Sequence, residues 1–119
     1  LPNPIPQYAI CLDMVADKNP SFPIEYFSYI QAPALVNEIW SLANSLGYDE
    51  FKKDIVPPIY DDHRALYLNS HIPAIDIIDF DYPFWHTLED IPKNCSSKTL
   101  KIVGNVVCEF IYRKDYENK

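Results

Sequence analysis

The sequence predicts a single domain of the α/β class, and three observations support this. The chain has 119 residues, which is enough for one small domain and too few for two. Hydrophobic residues make up 48% and charged residues 23%, a balance typical of a globular protein. Segments with strand-like and helix-like patterns alternate along the chain, as they do in α/β proteins.

The first predicted strand is the apolar run 8–12, whose lack of polar alternation is typical of a strand buried on both faces. It ends at Asp13, a position where α/β folds often place site residues. Residues 17–33 are predicted to form a loop because three prolines interrupt them. Pro33 is expected to begin a helix that ends near Gly47. Its core-facing residues are predicted to be Leu35, Ile39, Leu42, Ala43 and Leu46.

The second half of the chain continues the alternation. In order, the pattern predicts an irregular stretch (48–60), a short helix (64–69), a buried strand (72–79), an aromatic loop (80–87) and a long helix (97–113). Ser96 or Ser97 can cap the long helix. The residues of that helix expected to face the core are Leu100, Val103, Val107, Phe110 and Ile111.

The charge of the chain disfavours a nucleic-acid partner, and its hydropathy disfavours a membrane-spanning segment. The formal net charge is −7, whereas nucleic-acid binding requires Lys and Arg to neutralise phosphates. The acidic residues are scattered, so by themselves they indicate only a solvated surface. No apolar run approaches the roughly 20 residues of a membrane span. We therefore expect neither a nucleic-acid partner nor a membrane-spanning segment.

Three groups of polar residues fall at predicted strand ends or in adjacent loops, where α/β folds form sites: Asp13, Asp61-Asp62-His63 and His86. Each has an ordinary structural interpretation, as a turn former, a helix cap and a hydrogen-bonded histidine respectively. A metal site needs three or four converging ligands, and few candidates are present. Taken alone, these residues indicate an acidic α/β domain with a candidate carboxylate–histidine site.

The order of four segments carries a resemblance to a known superfamily. The segments are Leu12-Asp13-Met14-Val15, Asp61-Asp62-His63, Ile72-Pro73-Ala74-Ile75-Asp76-Ile77-Ile78 and Phe84-Trp85-His86-Thr87-Leu88-Glu89-Asp90. From about Tyr8 to Tyr112 the chain resembles the zinc aminopeptidases and the animal-type glutaminyl cyclases, which share a fold. The resemblance implies a three-layer α/β sandwich with a mixed central sheet. Residues 1–119 would supply the C-terminal half of that catalytic domain.

The resemblance also implies roles for individual residues around Zn²⁺. His86 matches a zinc ligand. Asp13 matches a ligand of the second zinc in two-metal members, and in one-metal cyclases it matches part of a proton-handling network. Asp61 is similar to another catalytic residue of that network. Trp85 matches the aromatic wall of the cyclase substrate pocket, and Asp62 is a second candidate for substrate binding.

Some features of the family have no counterpart in this chain. The upstream ligands, a His, a bridging Asp and a Glu-Glu pair, are unmatched and are expected to lie before Leu1. The start Leu1–Pro6 reads as a cut point within a longer protein, so the compartment stays open. Ala16 and His71 stand where glycine is common, and Ile91 stands where threonine is common.

Three functions remain open at this stage. A one-zinc cyclase would convert an N-terminal Gln to pyroglutamate with release of ammonia. A two-zinc aminopeptidase would hydrolyse a peptide bond, and a chain without the upstream ligands would be an inactive fragment. Asp61 and Trp85 favour the cyclase, because peptidases more often carry Ser and Tyr at these positions. Either enzyme would act on the N-terminus of a peptide substrate. Either also requires Asp13, Asp61 and His86 to lie together in one cleft.

Overall fold

Strands and helices alternate through residues 4–117, the part of the chain that the computed structural model describes. Residues 1–3 of the expected cut point and residues 118–119 lie outside this part. The elements are β1 (Ala9–Asp13), β2 (Phe22–Glu25), α1 (Tyr26–Gln31), α2 (Pro33–Ser45), β3 (Phe51–Val56), α3 (Asp62–Ser70), β4 (Ala74–Ile78), a 3-10 turn (Pro92–Asn94) and α4 (Ser97–Glu117). None of the helices in this part is long and apolar enough to cross a membrane.

The strands pair in parallel. β1 pairs with β4 in a register that sets Ala9 opposite Ala74 and Asp13 opposite Ile78. β2 pairs with β3, and β2 also lies against β4. Parallel strands are normally covered by helices on both faces, and every residue of β4 is accordingly buried.

Side chains of β4 show that helices cover both faces of the sheet. Ile75 and Ile77 belong to the hydrophobic core that contains α2 and α4. Asp76 lies between them in sequence and points to the opposite face, because successive strand residues alternate. There its backbone N–H donates to the Ser28 hydroxyl of α1, and its side chain approaches His63 of α3. The predicted three-layer α/β architecture is therefore confirmed.

Helix α2 follows the prediction closely. Pro33 occupies its first turn, and Gly47 adopts a φ of 88° just after its end. Four of the predicted core residues are buried: Leu35, Ile39, Leu42 and Ala43. Leu46 is exposed, because the helix ends at Ser45 and Leu46 is its C-cap.

The buried face of helix α4 agrees with the prediction only in part: Val103 and Phe110 are buried and Val107 is partly buried against the core. Its buried residues are Thr99, Ile102, Val103, Val106 and Phe110. Leu100 and Ile111, two of the expected core residues, are about half exposed. The Thr99 hydroxyl donates to the backbone carbonyl of Asp17 at 2.6 Å, a tertiary contact that lies on the buried face of the helix. Ser96 caps α4, as its hydroxyl oxygen accepts the Thr99 N–H at 3.3 Å.

Two segments predicted to be irregular contain regular structure. Residues 17–33 include β2 and α1, and residues 48–60 include β3. The four residues of β2 contain a proline, and β3 carries three charged residues in succession, so neither resembles a buried strand in sequence. Burial in the tertiary structure stabilises the strand conformation of both segments. All of β2 is buried, and the Phe51 ring of β3 packs against the rings of Phe22 and Trp40.

Candidate active site

The carboxyl groups of Asp13 and Asp61 lie in hydrogen-bonding contact. Asp13 is the last residue of β1, and Asp61 is the N-cap of α3, so the contact joins a strand end to a helix start. Burial raises the pKa of Asp13, and the charge and hydrogen bond of Asp61 raise it further. Two carboxyl groups in such contact have a geometry suited to sharing a proton.

Local backbone geometry presents both side chains. Asp61 has an extended backbone, and its carboxylate accepts the N–H of Asp62 at 2.7 Å. Met14, directly after Asp13, has a φ of 52°. This left-handed conformation is uncommon for a residue other than glycine, and such strain is typical of functional sites. The Met14 backbone N–H in turn hydrogen-bonds the Asp13 carboxyl group.

A third carboxyl group, that of Asp76, contacts Asp61 from the interior. Asp76 is fully buried in β4. Burial, followed by the charge of Asp61 and a hydrogen bond with it, raises the Asp76 pKa to about 8. No amide, hydroxyl or ring N–H of residues 4–117 donates to its oxygens. Burial and the neighbouring negative charge therefore favour the protonated form of Asp76.

Glu25 and His63 form a buried pair that is not among the predicted site residues. Both side chains are completely buried, and His63 Nε2 lies 2.7 Å from Glu25 Oε1. The other ring nitrogen, Nδ1, lies 3.8 Å from Asp76 Oδ2. Burial acts to raise the pKa of Glu25, yet hydrogen bonds from His63, Ser28 and backbone amides lower it to about 2. In the sequence, this pair is marked only by Glu25 at the end of the short segment Phe22–Glu25 and by His63 in Asp61-Asp62-His63.

A second unanticipated carboxyl pair, Asp17 and Asp79, lies beneath the same sheet edge. Both residues are buried, and their side chains hydrogen-bond each other. Asp79 also accepts the backbone N–H groups of Asp81 at 2.8 Å and Ser21 at 3.3 Å. Burial and the contact with Asp17 raise the pKa of Asp79 to about 7. This pair ties the loop after β1 to the end of β4.

The loop after β4 presents Trp85 and His86 to solvent. Trp85 is 58% exposed, and its ring centroid lies 4.2 Å from that of His86. His86 is exposed and has a φ of 57°, a second left-handed residue at the proposed site. The Thr87 hydroxyl donates to the Phe84 carbonyl at 2.7 Å and so stabilises the turn. Asp62, the other substrate-binding candidate, is exposed in the first turn of α3.

A cavity of about 190 Å³ adjoins Asp13. Its polar lining residues include Asp13, Asp17, Tyr82, Asp90 and Cys95. The Tyr82 hydroxyl donates to the Asp90 carboxylate at 2.5 Å and lies 4.0 Å from the Cys95 sulfur. Tyr82 is buried, so its ring packs in the protein and only its hydroxyl and ring edge border the cavity.

Residues 4–117 by themselves do not assemble a complete metal site. In this part of the chain no three His, Cys, Asp or Glu side chains are grouped so as to hold a metal ion. An exposed imidazole at His86 and the carboxylate of Asp13 have suitable chemistry for Zn²⁺, which takes nitrogen and oxygen donors. The chain therefore fits zinc as a contributor of one or two ligands.

Two departures from the family pattern have a structural explanation. His71 occupies the left-handed C-cap of α3 with a φ of 59°, the conformation for which glycine is usually selected. Ala16 is not among the residues with positive φ, so its backbone does not require glycine. Its carbonyl accepts the Ser96 N–H at 2.7 Å, which holds the loop after Asp13 against α4.

The fold and the carboxylate site together define an α/β domain of the zinc exopeptidase type. The model of peptidase family M28 matches residues 6–111, and the chain belongs to this family. A search of the curated proteins gave no significant match.

Several solved structures are similar to the chain. Glutaminyl cyclase from Tannerella forsythia gives a TM-score of 0.88 at 33% identity, and the match covers 91% of this chain and 40% of that one. A Zn-dependent exopeptidase from Parabacteroides distasonis gives 0.88 at 38% identity, covering 94% and 41%. A leucine aminopeptidase precursor from Bacteroides thetaiotaomicron gives 0.86 at 36% identity, covering 89% and 37%. The chain thus spans about two fifths of the length of these relatives.

Proposed function

We propose that this chain is the C-terminal half of the catalytic domain of a zinc-dependent glutaminyl-peptide cyclotransferase. The enzyme would convert the N-terminal Gln of a peptide to pyroglutamate and release ammonia. The observation that carries the proposal is the contact between the Asp13 and Asp61 carboxyl groups. A carboxyl group engaged in this way suits proton transfer, whereas a ligand of a second metal must present free, ionised oxygens.

The reaction needs a group that moves one proton between two nitrogen atoms. The substrate α-amine attacks the side-chain amide carbon, a C–N bond forms, and the amide C–N bond then breaks. The α-amine loses a proton, and the departing nitrogen gains one. We assign this transfer to the Asp13–Asp61 pair, because a carboxyl pair that shares a proton can accept and return it without net change.

The remaining roles follow from the same proposal. Zn²⁺ would be held by His86 together with ligands from the upstream half of the protein, and when bound it polarises the amide carbonyl. Trp85 would line the pocket for the N-terminal side chain, and its exposed ring supports this role. Asp62, also exposed, would bind the substrate near its N-terminus.

A two-zinc aminopeptidase is the second candidate. It is supported by the exopeptidase and aminopeptidase relatives, whose identities to the chain of 36–38% lie within the range of the cyclases, 33–38%. In that enzyme Asp13 would hold the second zinc. An inactive fragment is the third candidate, since the chain spans only about two fifths of its relatives.

The test is a zinc-stoichiometry and activity assay on the full-length protein, with N-terminal-Gln peptides and aminoacyl amides side by side. One zinc per chain with ammonia release from Gln peptides supports the cyclase. Two zincs with amide hydrolysis would replace it with the aminopeptidase. The 119-residue chain alone should be inactive, since a catalytic zinc uses about three protein ligands. Turnover by this chain would contradict the assignment of missing ligands.

A further inference from the structure

The Glu25 carboxylate binds the chain on both sides of Asp61. Its Oε2 accepts the Ile59 N–H at 3.0 Å, and its Oε1 lies 2.7 Å from His63 Nε2. The same carboxylate caps α1 through the N–H groups of Phe27 and Ser28 at 2.8 and 2.9 Å. One buried acid therefore fixes the segment that carries Asp61 to the rigid junction of β2 and α1.

A row of side chains connects this pair to the site. His63 Nδ1 lies 3.8 Å from Asp76 Oδ2, and Asp76 in turn contacts Asp61, which contacts Asp13. Glu25, His63 and Asp76 are all completely buried. In such a poorly screened environment, a change of charge at one member alters the energetics of the next.

We propose that Glu25 and His63 are positioning residues that hold Asp61 in place, directly through the backbone on both sides of it and indirectly through Asp76. This inference rests on the proposed role of the Asp13–Asp61 pair. A purely structural pair would hold the same elements together without affecting proton transfer. The two roles differ in their effects on kcat and on the titration of Asp76.

The charged and titratable groups around His63 determine how its replacement changes the pKa of Asp76. Glu25 faces it from the end of β2 and Asp76 from β4. Cys11 approaches from β1, where its thiol hydrogen-bonds the His63 backbone, and burial followed by the charge of Asp76 raises its pKa to about 11. On α3 itself, the Arg64 guanidinium is directed away, to the Phe27 ring and the Gln31 amide oxygen. Without the imidazole, Asp76 loses the nearby ring nitrogen and still faces the acidic groups of Asp61, Asp13 and Glu25, so its pKa should rise.

The variant His63→Gln keeps a donor for Glu25 and removes the imidazole. In the full-length protein it should lower kcat about 10–100-fold with KM nearly unchanged, as loss of outer-shell partners does elsewhere. Glu25→Gln should behave similarly. If His63 acts through Asp61, His63→Gln combined with Asp61→Asn should cost no more activity than Asp61→Asn alone.

The matched control is Gln31→Met. Gln31 ties the same elements together, since its side-chain amide donates to the carbonyls of His63 at 3.1 Å and Ala74 at 2.7 Å, but it lies outside the row. This variant should lower the melting temperature without changing kcat or its pH profile. If His63→Gln behaves like this control, the pair is only structural and the inference fails.

A second measurement needs no turnover. A ¹³C NMR titration of the Asp76 carboxyl carbon should show a higher pKa in His63→Gln than in the wild type and no change in Gln31→Met. If the wild type turns over neither substrate, the proposed function fails, and this titration still decides the link from His63 to Asp76. An unchanged Asp76 titration in folded His63→Gln would overturn the inference even in an active enzyme.

Discussion

The carboxyl group of Asp61 contacts that of Asp13 while Asp61 also caps helix α3. The cap fixes Asp61 at the first turn of α3, and the parallel pairing of β1 with β4 fixes Asp13 at the sheet edge. Neither residue can therefore move without disturbing an element of the fold. The contact is thus preorganised, as catalysis by a positioned proton carrier requires.

The variant Asp61→Asn tests the catalytic role apart from the structural one. Asparagine caps helices about as well as aspartate, so the melting temperature should stay within a few degrees. It cannot carry the transferred proton, so kcat should fall by about 10²–10⁴-fold. The measurement is steady-state kinetics of the full-length protein, with the exposed β3 variant Asp54→Asn as control. Near-normal kcat in Asp61→Asn would remove Asp61 from the mechanism.

Two histidines allow a matched test of the zinc ligand. His86 and His71 are both exposed and have φ values of 57° and 59°, so replacing either by alanine perturbs the backbone alike. His86→Ala should lose bound zinc and activity, because it removes one of about three ligands. His71→Ala should retain both. Metal analysis of the two dialysed full-length variants decides the matter, and equal zinc content would exclude His86 as a ligand.

Sequence patterns predicted the elements that have strong local signals. β1 and β4 are predicted from largely apolar runs, the second of which includes Asp76, and α2 is predicted from Pro33, Gly47 and its apolar stripe. β2 was missed because Phe22–Glu25 contains a proline and ends on a charge. Its strand conformation depends on burial between β3 and β4, which local sequence does not report.

The carboxylate site was only partly predictable for a similar reason. Asp13 and Asp61 could be proposed because each stands at the end of a recognisable element and within a family segment. Glu25 and Asp79 could not, because a buried acid is recognised only by its partners. Those partners, His63 and Asp17, are far away in sequence. The convergence of His86 with Asp13 remains a prediction.

The Asp17–Asp79 pair predicts how stability depends on pH. The folded-state pKa of Asp79 is raised from 3.8 to about 7, so between these values the folded state keeps a proton that the unfolded state has lost. The contribution of Asp79 to the unfolding free energy therefore falls as pH rises through this window and then levels off. Asp79→Asn, which does not titrate, should gain stability relative to the wild type from about pH 4 to pH 7.

The measurement for Asp79 is the difference in melting temperature between Asp79→Asn and wild type across that range, in the full-length protein. The difference cancels the contribution of Asp76, whose raised pKa is common to both proteins. Asp81→Asn, in an exposed neighbour, should show a difference that is flat with pH. A flat difference for Asp79→Asn as well would mean that Asp79 is ionised in the folded protein throughout.

Trp85 is expected to contact substrate, because its ring is 58% exposed and rests on His86 instead of packing in the core. A core Trp→Ala change costs roughly 3–5 kcal/mol of folding stability, a cost that an exposed indole does not incur. Trp85→Ala in the full-length protein should therefore melt within a few degrees of wild type. It should lower kcat/KM for Gln peptides, since each Å² of lost apolar contact costs about 25 cal/mol. Trp85→Phe should restore part of the loss.

The buried neighbour Tyr82 provides the opposite case, and Tyr82→Ala should lower the melting temperature strongly. If Trp85→Ala melts as low as Tyr82→Ala while its folded fraction turns over normally, Trp85 is a packing residue and does not line the pocket.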